Sequence, residues 1–290
     1  MRGASGQRHS PRQWIQRLQP TPTLGAIVLV IVLIAGSVAF GAHIEHNGSV
    51  RVQPRSIHRP IKVLLVGDSV AETLGWGLEV DDAVYGVKII DKALIGCGVT
   101  REEPVFYGGK VVDMESYCQD WPTIYSKEIK TIRPQVVVLL VGRWEVANAY
   151  YHNHWTHIGR PGYDQYLTKE LDLAVSVLTG EGARLALLTA PYYNSGIILG
   201  GQPLPENNPA RVKLFNTMLY RLAARYRKNV AVFNLNKRLC PSGHYQLDID
   251  GIQVRTNDGI HITVAGGEYV QPWLLPRLVA LSIAPTRPSG

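Results

Sequence analysis

From Ile61 onward, short apolar runs alternate with stretches that repeat their apolar residues at helical spacing. Ile61 to Val66 is an apolar run closed by Gly67, and similar runs recur at 86–90, 135–141, 184–189 and 229–235. Runs of five to seven apolar residues without alternation suit strands buried on both faces. Between them, residues 70–80, 121–132, 163–178 and 209–227 read as helices; in the last, Val212, Phe215, Leu219 and Leu222 fall on one face. A final helix is expected over 263–282, broken near Pro272 and Pro276. Strands alternating with helices predict an α/β domain with a parallel sheet covered on both faces, with any ligand site beyond the carboxyl ends of its strands.

The pattern before Ile61 differs. Leu24 to Ala42 contains no charged residue over 19 positions, about 28 Å as a helix, which matches a bilayer core. The preceding residues carry Arg2, Arg8, Arg12 and Arg17 and no acid. That charge bias keeps the N-terminus in the cytoplasm and places the rest outside the cell membrane. A cleaved signal peptide is the alternative, and the small residues around Ala39 and Ala42 leave cleavage open. The expected organisation is a cytoplasmic tail at 1–23, a single-pass span at 24–42, a polar linker at 43–60, one domain at 61–284 and a tail at 285–290.

Composition adds little. Hydrophobic residues at 46% can fill a sizeable core, and the net charge of +7 comes from scattered Lys and Arg rather than a dense run with exposed aromatics. No nucleic-acid partner is expected. Cys97, Cys118 and Cys240 lie outside the membrane on this topology, where disulfides persist. An odd count allows at most one internal pair, and Cys97 with Cys118, which close a modest loop, is preferred over pairings with Cys240.

The chemistry gathers where strands end. Gly67-Asp68-Ser69-Val70 follows the first strand and opens a helix. A serine there can present its hydroxyl at the sheet edge, with its N–H at a helix N-terminus that favours negative charge; an ordinary N-cap is the other reading. Asn257-Asp258-Gly259-Ile260-His261 precedes the last helix, and its Asp and His, three apart, can hydrogen-bond. The carboxylate would then orient an imidazole able to take the Ser69 proton.

These two blocks together resemble the SGNH, or GDSL-like, hydrolase family over about residues 61–281. The resemblance implies a flavodoxin-like α/β/α sandwich acting on esters, with Ser69, Asp258 and His261 as the triad. Gly96 stands where the family has a glycine whose N–H serves the oxyanion hole together with that of Ser69. Within the family the chain is similar to the SGNH domains behind membrane acyltransferases of bacterial envelope O-acylation, of which the actinobacterial kind carries a similar Gly-Arg-Trp-Glu. The implied substrate is an acylated, often acetylated, envelope carbohydrate, and the implied partner a membrane acyltransferase.

The third block departs from the family pattern Gly-x-Asn-Asp. Here Gly142-Arg143-Trp144-Glu145 puts Trp144 at the Asn position. Either Arg143 or Asn148 supplies the missing donor, or the hole rests on the N–H groups of Ser69 and Gly96. Arg143 is expected to face the site, unless Glu145 holds it away in an ion pair. Trp144, Asn148, Tyr192 and Tyr193 are the side chains expected against substrate. Residues 150–157, with three His, read as an aromatic loop near the site; no carboxylate or Cys accompanies them, so no metal and no cofactor is expected.

Overall fold

A computed structural model describes residues 59–101, 104–107, 109–196 and 201–284. The expected span at 24–42, nearly all of the linker and the tail at 285–290 lie outside the described residues. No described helix is long and apolar enough to cross a membrane.

In chain order the elements are β1 (Ile61–Gly67), α1 (Ser69–Leu78), β2 (Val87–Asp91), β3 (Val105–Tyr107), β4 (Lys110–Val112), α2 (Trp121–Ile132), β5 (Val136–Leu140), β6 (Asn148–Tyr151), β7 (His154–Thr156), α3 (Pro161–Leu178), β8 (Arg184–Leu188), α4 (Pro209–Arg225), β9 (Val230–Phe233), α5 (Leu235–Leu239), β10 (Asp248–Ile249), β11 (Ile252–Gln253) and α6 (Val264–Ile283). The main sheet is wholly parallel, in the order β2-β1-β5-β8-β9. All five strands coincide with the apolar runs. β5 is buried at every position and β1 at all but its first two, as both-face coverage demands. Right-handed crossovers put α1 and α6, which pack together, on one face, and α2, α3 and α4 in succession on the other. The strand order reverses between β1 and β5, so the crevice at their carboxyl ends is the sheet's natural ligand position.

Two expectations are corrected. α6 runs unbroken through Pro272 and Pro276. Both prolines lie on its exposed side, where water can take the carbonyls that lose a bond. Residues 150–157 are not a loop. β6 and β7 form a hairpin whose turn residues His152 and Asn153 have φ of 50° and 65°, the two-residue turn that matches strand twist. The hairpin belongs to a second, antiparallel sheet, β4-β3-β6-β7.

Candidate active site

Gly67 ends β1 in direct contact with β5. Its φ is 142°, and a Cβ there would stand 1.9 Å from the Leu140 carbonyl oxygen, so only glycine lets the chain turn out of the sheet at this point. Asp68 then caps α1, its Oδ1 accepting from Val70 N at 2.8 Å. Because Asp68 takes the cap, Ser69 falls on the first helical position with its partly exposed side chain at the helix N-terminus. Asp68 itself is buried and its Oδ2 has no partner among the described residues. Burial, and then the nearby Glu145 carboxylate, push its pKa up to about 7, against the pull of the Val70 N–H and of Arg143.

The residues before α6 meet this serine from the other side. His261 Nε2 lies 2.8 Å from Ser69 Oγ, and His261 Nδ1 lies 2.5 Å from Asp258 Oδ2. Asp258 Oδ1 accepts from Thr256 Oγ1 at 2.5 Å and from the backbone N–H of Ile260 and His261 at 2.8 and 3.1 Å. Partial burial raises the Asp258 pKa, but these bonds, from Thr256 and His261 foremost, outweigh it and hold the carboxyl well below the usual range. Two further contacts set the loop's position. Thr73 Oγ1, one turn beyond Ser69, accepts from Ile262 N at 3.3 Å. Buried Arg255 donates through Nη2 to the Ile260 carbonyl beneath the Asp258–His261 turn.

The loop that carries Gly96 is tied to the end of β1, where Leu94 N donates to Gly67 O at 2.8 Å. Glu145 Oε1 accepts from Val99 N at 2.7 Å, and Trp121 Nε1 donates to Val99 O at 3.0 Å. A Cβ on Gly98 would stand 2.3 Å from Glu145 Oε1, so glycine there lets the carboxylate press against the loop. Burial raises the Glu145 pKa, with the Val99 N–H opposing. A Cys97–Cys118 disulfide closes the same loop with Cα atoms 5.1 Å apart, and Cys240 is free and buried.

The expected substrate-facing set fares differently. Arg143 is buried and donates through Nη1 to Glu206 Oε1 at 2.9 Å; Glu206, not Glu145, is its ion-pair partner. Trp144 packs with Cys97, Cys118, Val105 and Met114 in a satellite core. Asn148, at the start of β6, accepts from Arg211 at 2.8 Å. Tyr192 and Tyr193 are buried in the main core, Tyr193 facing Arg255 with its ring centre 5.9 Å from the guanidinium. All five are committed to packing, to an ion pair or to internal hydrogen bonds. Asp68, Thr73, Glu206, Arg255 and Thr256 were not singled out from the sequence as site residues. Thr256, two before Asp258, was the most readable of them, since a hydroxyl at that offset commonly bonds an Asp in a turn. No group of His, Cys, Asp and Glu among the described residues is arranged to hold a metal.

A family model described as "Protein of unknown function (DUF459)" matches residues 62–277, most of the chain and both halves of the Ser69–His261 pair. The chain belongs to the DUF459 family. No curated protein matches it. Among solved structures this DUF459 member is similar to a GDSL-like lipase from Bacteroides thetaiotaomicron, at 13% identity over 76% of this chain and 89% of that one, with a TM-score of 0.49. It is also similar to a carbohydrate acetylesterase from Sinorhizobium meliloti, at 15% identity over 76% and 99% with a TM-score of 0.47. A third is the periplasmic domain of a lipopolysaccharide acetyltransferase from Salmonella ser. Paratyphi A, at 15% identity over 77% and 85% with a TM-score of 0.45. Likeness at these levels assigns no chemistry to this chain.

Proposed function

We propose that this DUF459 protein is a serine esterase or O-acyltransferase of the SGNH type, acting on acyl esters, acetyl foremost, of cell-envelope carbohydrate. One observation carries the reading: the continuous relay from Ser69 Oγ to His261 Nε2 at 2.8 Å and from His261 Nδ1 to Asp258 at 2.5 Å. In the reaction Ser69 Oγ attacks the ester carbonyl while its proton passes to His261 Nε2. Asp258, kept ionised by its hydrogen bonds, stabilises the resulting imidazolium. The tetrahedral oxyanion is held by the N–H groups of Ser69, at the N-terminus of α1, and of Gly96. Collapse expels the alcohol, which takes the proton from His261. Water or a second sugar hydroxyl, deprotonated by His261, then attacks the acyl-enzyme and releases Ser69.

On this reading Arg143 is not an oxyanion donor. Paired with Glu206, it is a fixed charge beneath the site that bears on Asp68. The third block therefore supplies a prop rather than an amide: Trp144 stands at the Asn position, and Glu145 beside it accepts from Val99 N and holds the loop that carries Gly96. Losing one such donor costs about 3 kcal/mol in transition-state stabilisation, so turnover is slower than with a full hole. The apolar run at 24–42 is the proposed single-pass anchor, with the domain extracytoplasmic near its envelope substrate and able to work beside a membrane acyltransferase. The test is hydrolysis of acetylated oligosaccharide and of a simple aryl acetate by the full chain and by Ser69→Ala. Turnover lost in the variant is the expected result. Equal rates would refute the triad. Saturable glycan binding without turnover in the native protein would identify an inactive carbohydrate-binding member instead, the reading that the missing amide favours.

A further inference from the structure

The edge strand β9 is flanked by two grooves that share Val232. One, between α5 and α6, is lined by Lys237, Arg238 and Arg277; the other, toward the end of α6, by Arg184, Arg227 and Lys228. No Asp or Glu lines either groove. None of the six cations takes part in an ion pair among the described residues, where Arg101, Arg143 and Arg225 each do. Four of them, Arg227, Lys228, Lys237 and Arg277, are exposed. An unpaired single-sign strip of this kind repels itself and raises the affinity for anions.

The aromatic residues in the first groove narrow the partner. Tyr269 has the Arg238 guanidinium 3.7 Å over its ring, and Trp273 has that of Arg277 at 5.5 Å. Each guanidinium also donates to the backbone carbonyl of the residue it covers. Each ring has one face covered by a guanidinium. The rings hold two guanidiniums in place with their remaining donors available to phosphate. The chain outside the structure favours one source of that phosphate. Residues 43–60 are an 18-residue polar connection from the apolar run. Eighteen residues reach at most about 60 Å even when fully extended. If the run at 24–42 is an anchor, as proposed above, the domain never leaves the neighbourhood of the headgroups, and a weak electrostatic surface suffices to seat it.

We propose that the basic strip along the β9 edge docks this domain onto an anionic lipid surface, with headgroup phosphates against Lys228, Lys237 and Arg277. The inference rests on the anchor reading, and its test separates the two. The full chain is reconstituted into vesicles of zwitterionic lipid alone or of zwitterionic and anionic phospholipid, and its lysines are footprinted with a soluble amine reagent. Alkaline carbonate extraction shows independently whether the chain is anchored; if it is not, added vesicles of the two compositions give the same comparison. In anionic vesicles Lys228 and Lys237 should react at least about fivefold more slowly, while Lys127 and Lys130 on α2 are unchanged. High salt, or Arg227→Glu with Arg277→Glu, should restore their reactivity, with aryl acetate turnover unaltered. Equal reactivity in both vesicle types would overturn the proposal, as would slowing shared by Lys127 and Lys130. Equal protection by soluble polyphosphate at the same phosphate concentration would also overturn it, by assigning the strip to a phosphate polymer.

Discussion

Asp68→Asn should make this protein more stable, and more so at high pH. The carboxyl is buried, its Oδ1 caps α1, its Oδ2 has no partner among the described residues, and its pKa stands at about 7 rather than 3.8. Below pH 4 both folded and unfolded chains carry the proton, and the group costs nothing. Between pH 4 and 7 the folded state keeps a proton that the unfolded state releases, so stability falls as pH rises and the loss is complete above 7. A shift of about three units corresponds to about 4 kcal/mol at pH 8 and about 2 kcal/mol at pH 5. Asn cannot ionise. Its Oδ1 still accepts from Val70 N, since Asn is as good a cap as Asp, and it removes the repulsion between this carboxyl and the nearby Glu145 carboxylate. The assay is urea unfolding of the native protein and the variant, followed by circular dichroism at the two pH values. The variant should gain stability at both, with the larger gain at pH 8. A destabilised variant at pH 8 would show that Asp68 is ionised and needed as a charge, overturning the argument from burial.

Three further outcomes follow from the same geometry. Glu145→Gln keeps the acceptor for Val99 N and should retain kcat, whereas Glu145→Ala leaves that buried N–H unbonded, at a cost of about 1–3 kcal/mol, and should lower kcat more than it changes KM; equal kcat for the two variants would refute the prop. Arg143→Ala strands buried Glu206 and should cost about 3–5 kcal/mol; a melting temperature within a degree or two of the native value would refute the ion-pair account. Removing the disulfide with Cys97→Ala and Cys118→Ala, which opens a loop of 21 residues' separation, should cost about 3 kcal/mol in the chain-entropy account, measured by thermal unfolding and checked by non-reducing peptide mapping.

The main sheet was legible because its strands are short, mostly apolar and bounded by a glycine or a helix, with both faces apolar at Ile61–Gly67 and Val136–Leu140. The antiparallel sheet was not. Its strands have three or four residues, too few for alternation to register, and the His152–Asn153 turn lacks the glycine that signals a hairpin. Ser69, Asp258 and His261 were readable from local motifs. What surrounds them was not, because it depends on pairs far apart in sequence: Arg143 with Glu206 at 63 residues, Val99 with Glu145 at 46, Thr73 with Ile262 at 189. Trp144, Tyr192 and Tyr193, expected against substrate, are buried instead, and the sequence hid this for a related reason. Aromatic residues after a strand serve a ligand or a core equally well, and only the third dimension shows which.

Covalent labelling tests the central claim most directly. The native protein, treated with a fluorophosphonate probe and mapped by mass spectrometry, should carry the phosphonyl group on Ser69 if His261, at 2.8 Å, acts as the proposed base. Labelling should vanish in Ser69→Ala and His261→Ala. A folded native protein that takes up no probe at Ser69, or carries it on another serine, would contradict the account.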